Sequence, residues 1–133
     1  MTAPHPAPSS YSPTLVVDFN SDAAKQLAGQ LSHFGFRTDV VSSSQTAHAI
    51  ARAKRYDSVV MVANLVQDLD LQCLIGLRKW ARGAWIIVVS STPCVHAETI
   101  TRRCGADSLL IAPFTVEELT YRLSAFSHRS RPP

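Results

Sequence analysis

A doubly wound α/β sandwich, with one five-stranded parallel sheet made from five strand–helix units, is the fold this sequence predicts. Three observations lead there. Short runs of β-branched and aliphatic residues alternate five times with longer stretches of helical apolar spacing. The short runs are apolar on successive residues, as in strands buried on both faces. The chain has 133 residues, 46% of them apolar and 17% charged, which suits one ordinary core and is short for two. Helices between consecutive strands require parallel pairing through right-handed crossovers, so helices cover both faces and three layers result.

The elements follow in order. Residues 1–13 contain four prolines, which cannot donate backbone hydrogen bonds or enter a helix interior, and read as a disordered tail. The domain proper spans 14–127, and 128–133 reads as a linker or frayed terminus. The first strand is 14–18. A helix follows from near Ala23, capped within Asn20, Ser21 and Asp22, striped by Leu27, Leu31 and Phe34, and stopped by Gly35. The second unit is a strand at 36–41 and an alanine-rich helix at 47–53 after a serine loop. The third is a strand at 58–62, a loop holding Asp68 and Asp70, and a helix at 71–80. The most apolar strand, 85–89, belongs inside the sheet; a helix at 95–104 follows and ends at Gly105. A strand at 108–111 and a helix at 116–126 complete the set, with Glu117 and Glu118 near that helix's positive end.

Composition narrows the function. No apolar run approaches the roughly 20 residues that cross a bilayer, and the first residues lack the apolar segment of a secretory signal. Cys73, Cys94 and Cys104 are an odd set without CxxC spacing, which fits free thiols in a reducing, cytoplasmic setting. The net charge of +3 is mild and the basic residues are scattered. Arg102 with Arg103, and Arg129 with Arg131 in the tail, are the local concentrations, too little to argue for nucleic acid.

In a doubly wound sheet the functional crevice lies beyond the carboxyl ends of the strands, here residues 18–20, 62–64, 90–92 and 112–114. Three phrases near these ends are informative together: Leu15, Val16, Val17, Asp18; Gly105, Ala106, Asp107; and Pro113, Phe114 followed by Glu117, Glu118 and Leu119. From about residue 15 to 126 the chain resembles the receiver domain of bacterial two-component response regulators. The resemblance implies a CheY-like (βα)5 fold, a role in signal transduction or transcriptional regulation, and binding rather than catalysis.

It also implies a phosphorylation pocket, and here the sequence departs from the pattern. The phosphoacceptor aspartate at the end of the third strand falls on Val62 or Ala63. The lysine before the Pro-Phe pair is Ala112, the aromatic switch residue is Leu109, and the second acid after the first strand is Phe19. Asp18 remains, and Ser90 keeps the hydroxyl. Phosphoryl transfer to a carboxylate needs the nucleophile, a cation and a fixed positive donor. Without them the expectation is a pseudo-receiver.

Other constellations are weaker. Asp18 with Asn20 has donors for a cation, while capping the following helix is the commoner role of such an acid. Cys94, His96 and Cys104 lack zinc-site spacing, so no metal is expected. The loop after the first strand lacks the small residues that wrap a flavin phosphate, so no cofactor is expected. Trp80 and Trp85 flank a turn, where packing is the usual fate and a partner contact the sharper reading.

The segment 95–126 matches the face by which receivers dock partners or dimerise, and Arg102, Arg103, Asp107, Glu118 and Arg122 are the residues suited to it. The expected partner is a protein, or a second copy in a homodimer, engaged without phosphorylation. DNA would be reached only through an effector domain absent from these residues. The alternative is a small-molecule sensor that uses the apolar remnant of the phosphorylation pocket.

Overall fold

The computed structural model describes residues 13–91 and 94–127. Its elements are β1 (Pro13–Val17), α1 (Ser21–His33), β2 (Arg37–Val41), α2 (Ser44–Ala53), β3 (Ser58–Val62), α3 (Asp68–Trp80), β4 (Trp85–Ser90), α4 (Ala97–Arg103), β5 (Ser108–Ile111) and α5 (Val116–Ser127). The five strands form one sheet in the order β2-β1-β3-β4-β5, every adjacent pair parallel. This is the doubly wound, flavodoxin-like sandwich that the alternating pattern predicts.

Successive strand residues point to opposite faces, so each strand feeds two cores. Leu15 and Val17, Val59 and Met61, and Ile86 and Val88 pack with Ala47 and Ala51 of α2 and Leu74 and Leu77 of α3. Val16, Val60, Ile87 and Val89 pack on the other side with Leu31 of α1 and Leu119, Leu123 and Phe126 of α5. Each of these leucines is essentially fully buried, which stabilises the fold by about 2 kcal/mol apiece. Trp85 stacks on Phe126 with ring centroids 4.5 Å apart, fastening the end of α5 to the start of β4. Packing is thus what Trp85 does here.

Local chemistry sets the helix ends. The Asn20 side chain accepts from the Ala23 amide, and that of Ser43 from the Thr46 amide. Thr115 and Glu118 form a reciprocal capping box on α5: the Glu118 amide donates to Thr115 Oγ1, and the Thr115 amide to Glu118 Oε1. Gly35 (φ 92°) and Gly105 (φ 109°) take the left-handed turns that follow α1 and α4.

Several boundaries differ from expectation. Helix α3 begins at Asp68, not residue 71, because Asp68 and Asp70 occupy its first turn, where the helix dipole favours carboxylates. Phe34 is the C-cap of α1 and about half exposed; Ala24, Ala28 and Leu31 form the buried stripe. Helix α4 is shorter than expected because His96 adopts a left-handed conformation (φ 62°) and Cys104 is already the C-cap. Pro13, counted above with the tail, pairs with Arg37 in the sheet. The tail proper at 1–12, Thr92 of the expected crevice and the linker at 128–133 lie outside the described residues.

Candidate functional site

The carboxyl ends of β1, β3, β4 and β5 converge where the topology requires. Asp18 directly follows β1 and is 9% exposed. Its Oδ1 accepts from the Asn20 amide at 3.0 Å, closing a tight turn whose next residue, Asn20, caps α1. Burial raises the Asp18 pKa above the ordinary aspartate value; the Asn20 amide opposes this, and the charge of Asp70 adds to it. Asp70 reaches this end from the first turn of α3, where its Oδ2 accepts from the Asn64 amide at 2.7 Å. Its side chain is therefore anchored, and the sequence reading missed it by assigning Asp70 to a loop. Phe19 is partly exposed at the mouth.

Val62 is the last residue of β3 and pairs with Val89. It is half-buried and packs against the core layer under α1 and α5. Ala63 is buried in the opposite core and donates its amide to Val89 O at 2.9 Å. Ser90 closes β4, fully buried, and its carbonyl accepts from the Ala112 amide at 2.9 Å. Leu109 packs half-buried against the α2–α3 core. Ala112 is exposed, and the Ala112–Pro113 peptide is cis. These strand ends carry one buried carboxylate and one buried hydroxyl, while Val62 is taken up in one core layer and Ala63 and Leu109 in the other. Among the described residues, no three His, Cys, Asp or Glu side chains gather as a metal site, and Cys94, His96 and Cys104 form none.

The expected interaction face divides. Arg103 is exposed, and Arg102 is exposed in an i,i+4 pair with Glu98. Glu118 is exposed but engaged in the capping box. Arg122 lies against β5, donating to Ser108 Oγ at 2.6 Å and to Leu109 O at 3.1 Å. Asp107 does not belong to the face: its Oδ2 accepts from the Ile86 amide at 2.8 Å and pairs with Arg78 at 3.3 Å. It braces the start of β5 against β4, because a carboxylate there meets two donors before it meets solvent. Ile111, on the edge strand, is 44% exposed beside this face.

A second gathering of charge was not foreseen. Arg52, Lys54 and Arg55, three bases within four residues, are joined by the distant Arg82 to line one pocket at the opposite end of the sheet. The available signal was that two consecutive helices carry their basic residues at or just past the last turn.

A scan against protein-family models finds none that matches. Among curated proteins, the chain is 28% identical over 116 residues to the probable transcriptional regulatory protein TcrX of Mycobacterium tuberculosis, covering 87% of this chain and 50% of that one. It thus spans about half the length of the curated relatives it matches. Among solved structures, it superposes with a TM-score of 0.78 on a CheY-like receiver domain protein from Methanospirillum hungatei, at 15% identity over 87% of this chain and 93% of that one. A two-component response regulator from Clostridium difficile gives the same TM-score at 21% identity, over 89% and 97%. No helix among the described residues is long and apolar enough to cross a membrane. The chain has the fold of CheY-like receiver domains, and its sequence is similar to the matching half of transcriptional response regulators.

Proposed function

We propose that this receiver domain acts in signalling without being phosphorylated, through protein contacts made by α4, β5 and α5. The observation that carries this reading is Val62: at the carboxyl end of β3 stands an isopropyl group packed into the core layer. A valine offers no oxygen to attack phosphorus. Ala112 offers no ammonium to hold the phosphoryl oxygens, and Phe19 no second carboxylate for a cation. The contact face keeps Arg102, Arg103 and Ile111 available at the edge of the sheet. Its charged groups favour orientation over affinity, so a weak homodimer or a protein partner fits it. The transcriptional output in the relatives' names would need an effector module in addition to this domain.

A second reading is favoured by a groove of about 400 Å³ at the same end, lined by Phe19, Leu69, His48 and the serines 42–44. Its size and its mixture of apolar walls with a few hydroxyls suit a small ligand. It shares only Phe19 with the degenerate pocket, whose other residues are largely taken up in packing. Native mass spectrometry of the purified chain, with and without acetyl phosphate and Mg²⁺, separates the readings. Unchanged mass in both conditions is expected. A phosphoryl adduct would overturn the proposal, and a co-purified small molecule would favour the sensor.

A further inference from the structure

The pocket of about 340 Å³ at the amino ends of the strands lies apart from the crevice and from the α4–β5–α5 face. Its lining runs from Ala51 to Asp57, at the end of α2, and from Trp80 to Gly83, just past α3. Four cations line it, Arg52, Lys54, Arg55 and Arg82, against one carboxylate, Asp57. Lys54 is paired with Asp39 at 2.6 Å; Arg52, Arg55, Lys79 and Arg82 pair with no carboxylate among the described residues. The Arg52 guanidinium lies over the Trp80 ring at 4.6 Å and the Lys79 ammonium at 4.9 Å, so the indole holds both charges in place.

Complementing helix dipoles accounts for Arg52 and Lys79, which sit in the last turns of α2 and α3. It does not account for Arg55 and Arg82, which lie beyond the helix ends and are exposed. We infer that this pocket is a docking site for an acidic, Asp- and Glu-rich segment of a protein partner.

Three features select that occupant. Arginine forks take carboxylates in two-pronged bonds, and Arg55 and Arg82 stand on separate loops beyond the ends of α2 and α3, a spread that suits several carboxylates along one chain better than a single small anion. The Trp80 ring is engaged by cations, so it is no free platform for stacking nucleobases. The other end of the molecule is acidic, with Asp68, Asp70, Glu117 and Glu118 in the first turns of α3 and α5, so no basic track continues around the domain for a nucleic-acid strand.

The test is fluorescence anisotropy of a fluorescein-labelled peptide of alternating glutamate and glycine, titrated with the full chain at physiological salt. Arg55→Glu with Arg82→Glu should weaken binding about tenfold or more, while Lys25→Glu with Gln26→Glu and Gln30→Glu, an equal change of net charge on the exposed side of α1, should change it less than about twofold. All five side chains are exposed, and Arg55→Gln with Arg82→Gln, which removes the charge without reversing it, should give an intermediate loss. Equal losses in the two variants of equal charge change would reduce the effect to net charge and overturn the site. So would tighter binding of an oligothymidylate of matched charge, or no binding of the peptide by the wild type.

Discussion

At the scale of single residues, Asp18 and Asp39 stand in opposite electrostatic situations. Lys54 Nζ and the Tyr56 hydroxyl both donate to Asp39 Oδ2 at 2.6 Å, and these bonds hold its pKa below the usual aspartate value. Burial first, and then the same contact, push the Tyr56 hydroxyl upward. Asp18 is raised, by burial first. A carboxylate lowered in the folded state stabilises above its unfolded pKa, and that stabilisation fades as pH falls through the folded value. A raised one does the reverse, costing stability as pH climbs from the unfolded to the folded value. Asp39→Asn should therefore melt below the wild type at neutral pH, the gap closing in acid. Asp18→Asn should melt above it at neutral pH, with the gain gone once the wild-type carboxyl is protonated. Thermal melts from acid to neutral pH check both, and an Asp18→Asn variant that loses stability at neutral pH would show the carboxylate to be wanted as a charge. Asp18 was visible in the sequence because it ends an apolar run. Its neighbour Asp70 was not, since only the earlier start of α3 turns that side chain toward Asn64.

At the scale of elements, the strands at 58–62 and 108–111 were readable to the residue, because each is a compact apolar run between polar or turn-forming residues. The helix ends were less so: the capping serine and asparagine announce themselves, but a first turn made of Asp68 and Asp70 looks in sequence like a polar loop. Glycine shows how context decides. Gly29 sits exposed inside α1 with open space where a Cβ would go, so Gly29→Ala should stabilise by about 0.5–1 kcal/mol through the unfolded chain. Gly105 has a positive φ, and a Cβ there would lie within 2.5 Å of the Arg78 side-chain carbons. Arg78 cannot easily withdraw, since its guanidinium donates to the carbonyls of Ala81, Arg82, Ala84 and Gly105. Gly105→Ala should thus cost more than about 1 kcal/mol. Urea denaturation of the two variants decides it, and matching midpoints would refute the contrast.

At the scale of the whole molecule, parallel topology sends every helix amino end to one side of the sheet and every carboxyl end to the other. Asp22, Glu98, Glu117 and Glu118 accordingly gather at one end with Asp68 and Asp70, and the last-turn bases at the other. Counting charges along the chain cannot reveal this, because Arg55 and Arg82 meet only after β3 and α3 intervene. The topology also grades local stability. Strands β1, β3 and β4 are paired on both edges and buried on both faces, whereas β5 is an edge strand of four residues. Beside it α4 has seven residues, opens at left-handed His96 and has no side-chain N-cap bond. Such an element opens below the global free energy of unfolding. Hydrogen exchange should therefore be fastest, within the sheet and its flanking helices, across residues 97–111, and slowest in β1, β3 and β4. Because that segment is part of the proposed contact face, binding a partner or a second copy there should slow its exchange while leaving β1 and β3 unchanged. Exchange of α4 and β5 at the same rate as β1, β3 and β4 in the free chain would mean the face is a rigid platform, and partner binding would then carry no ordering cost.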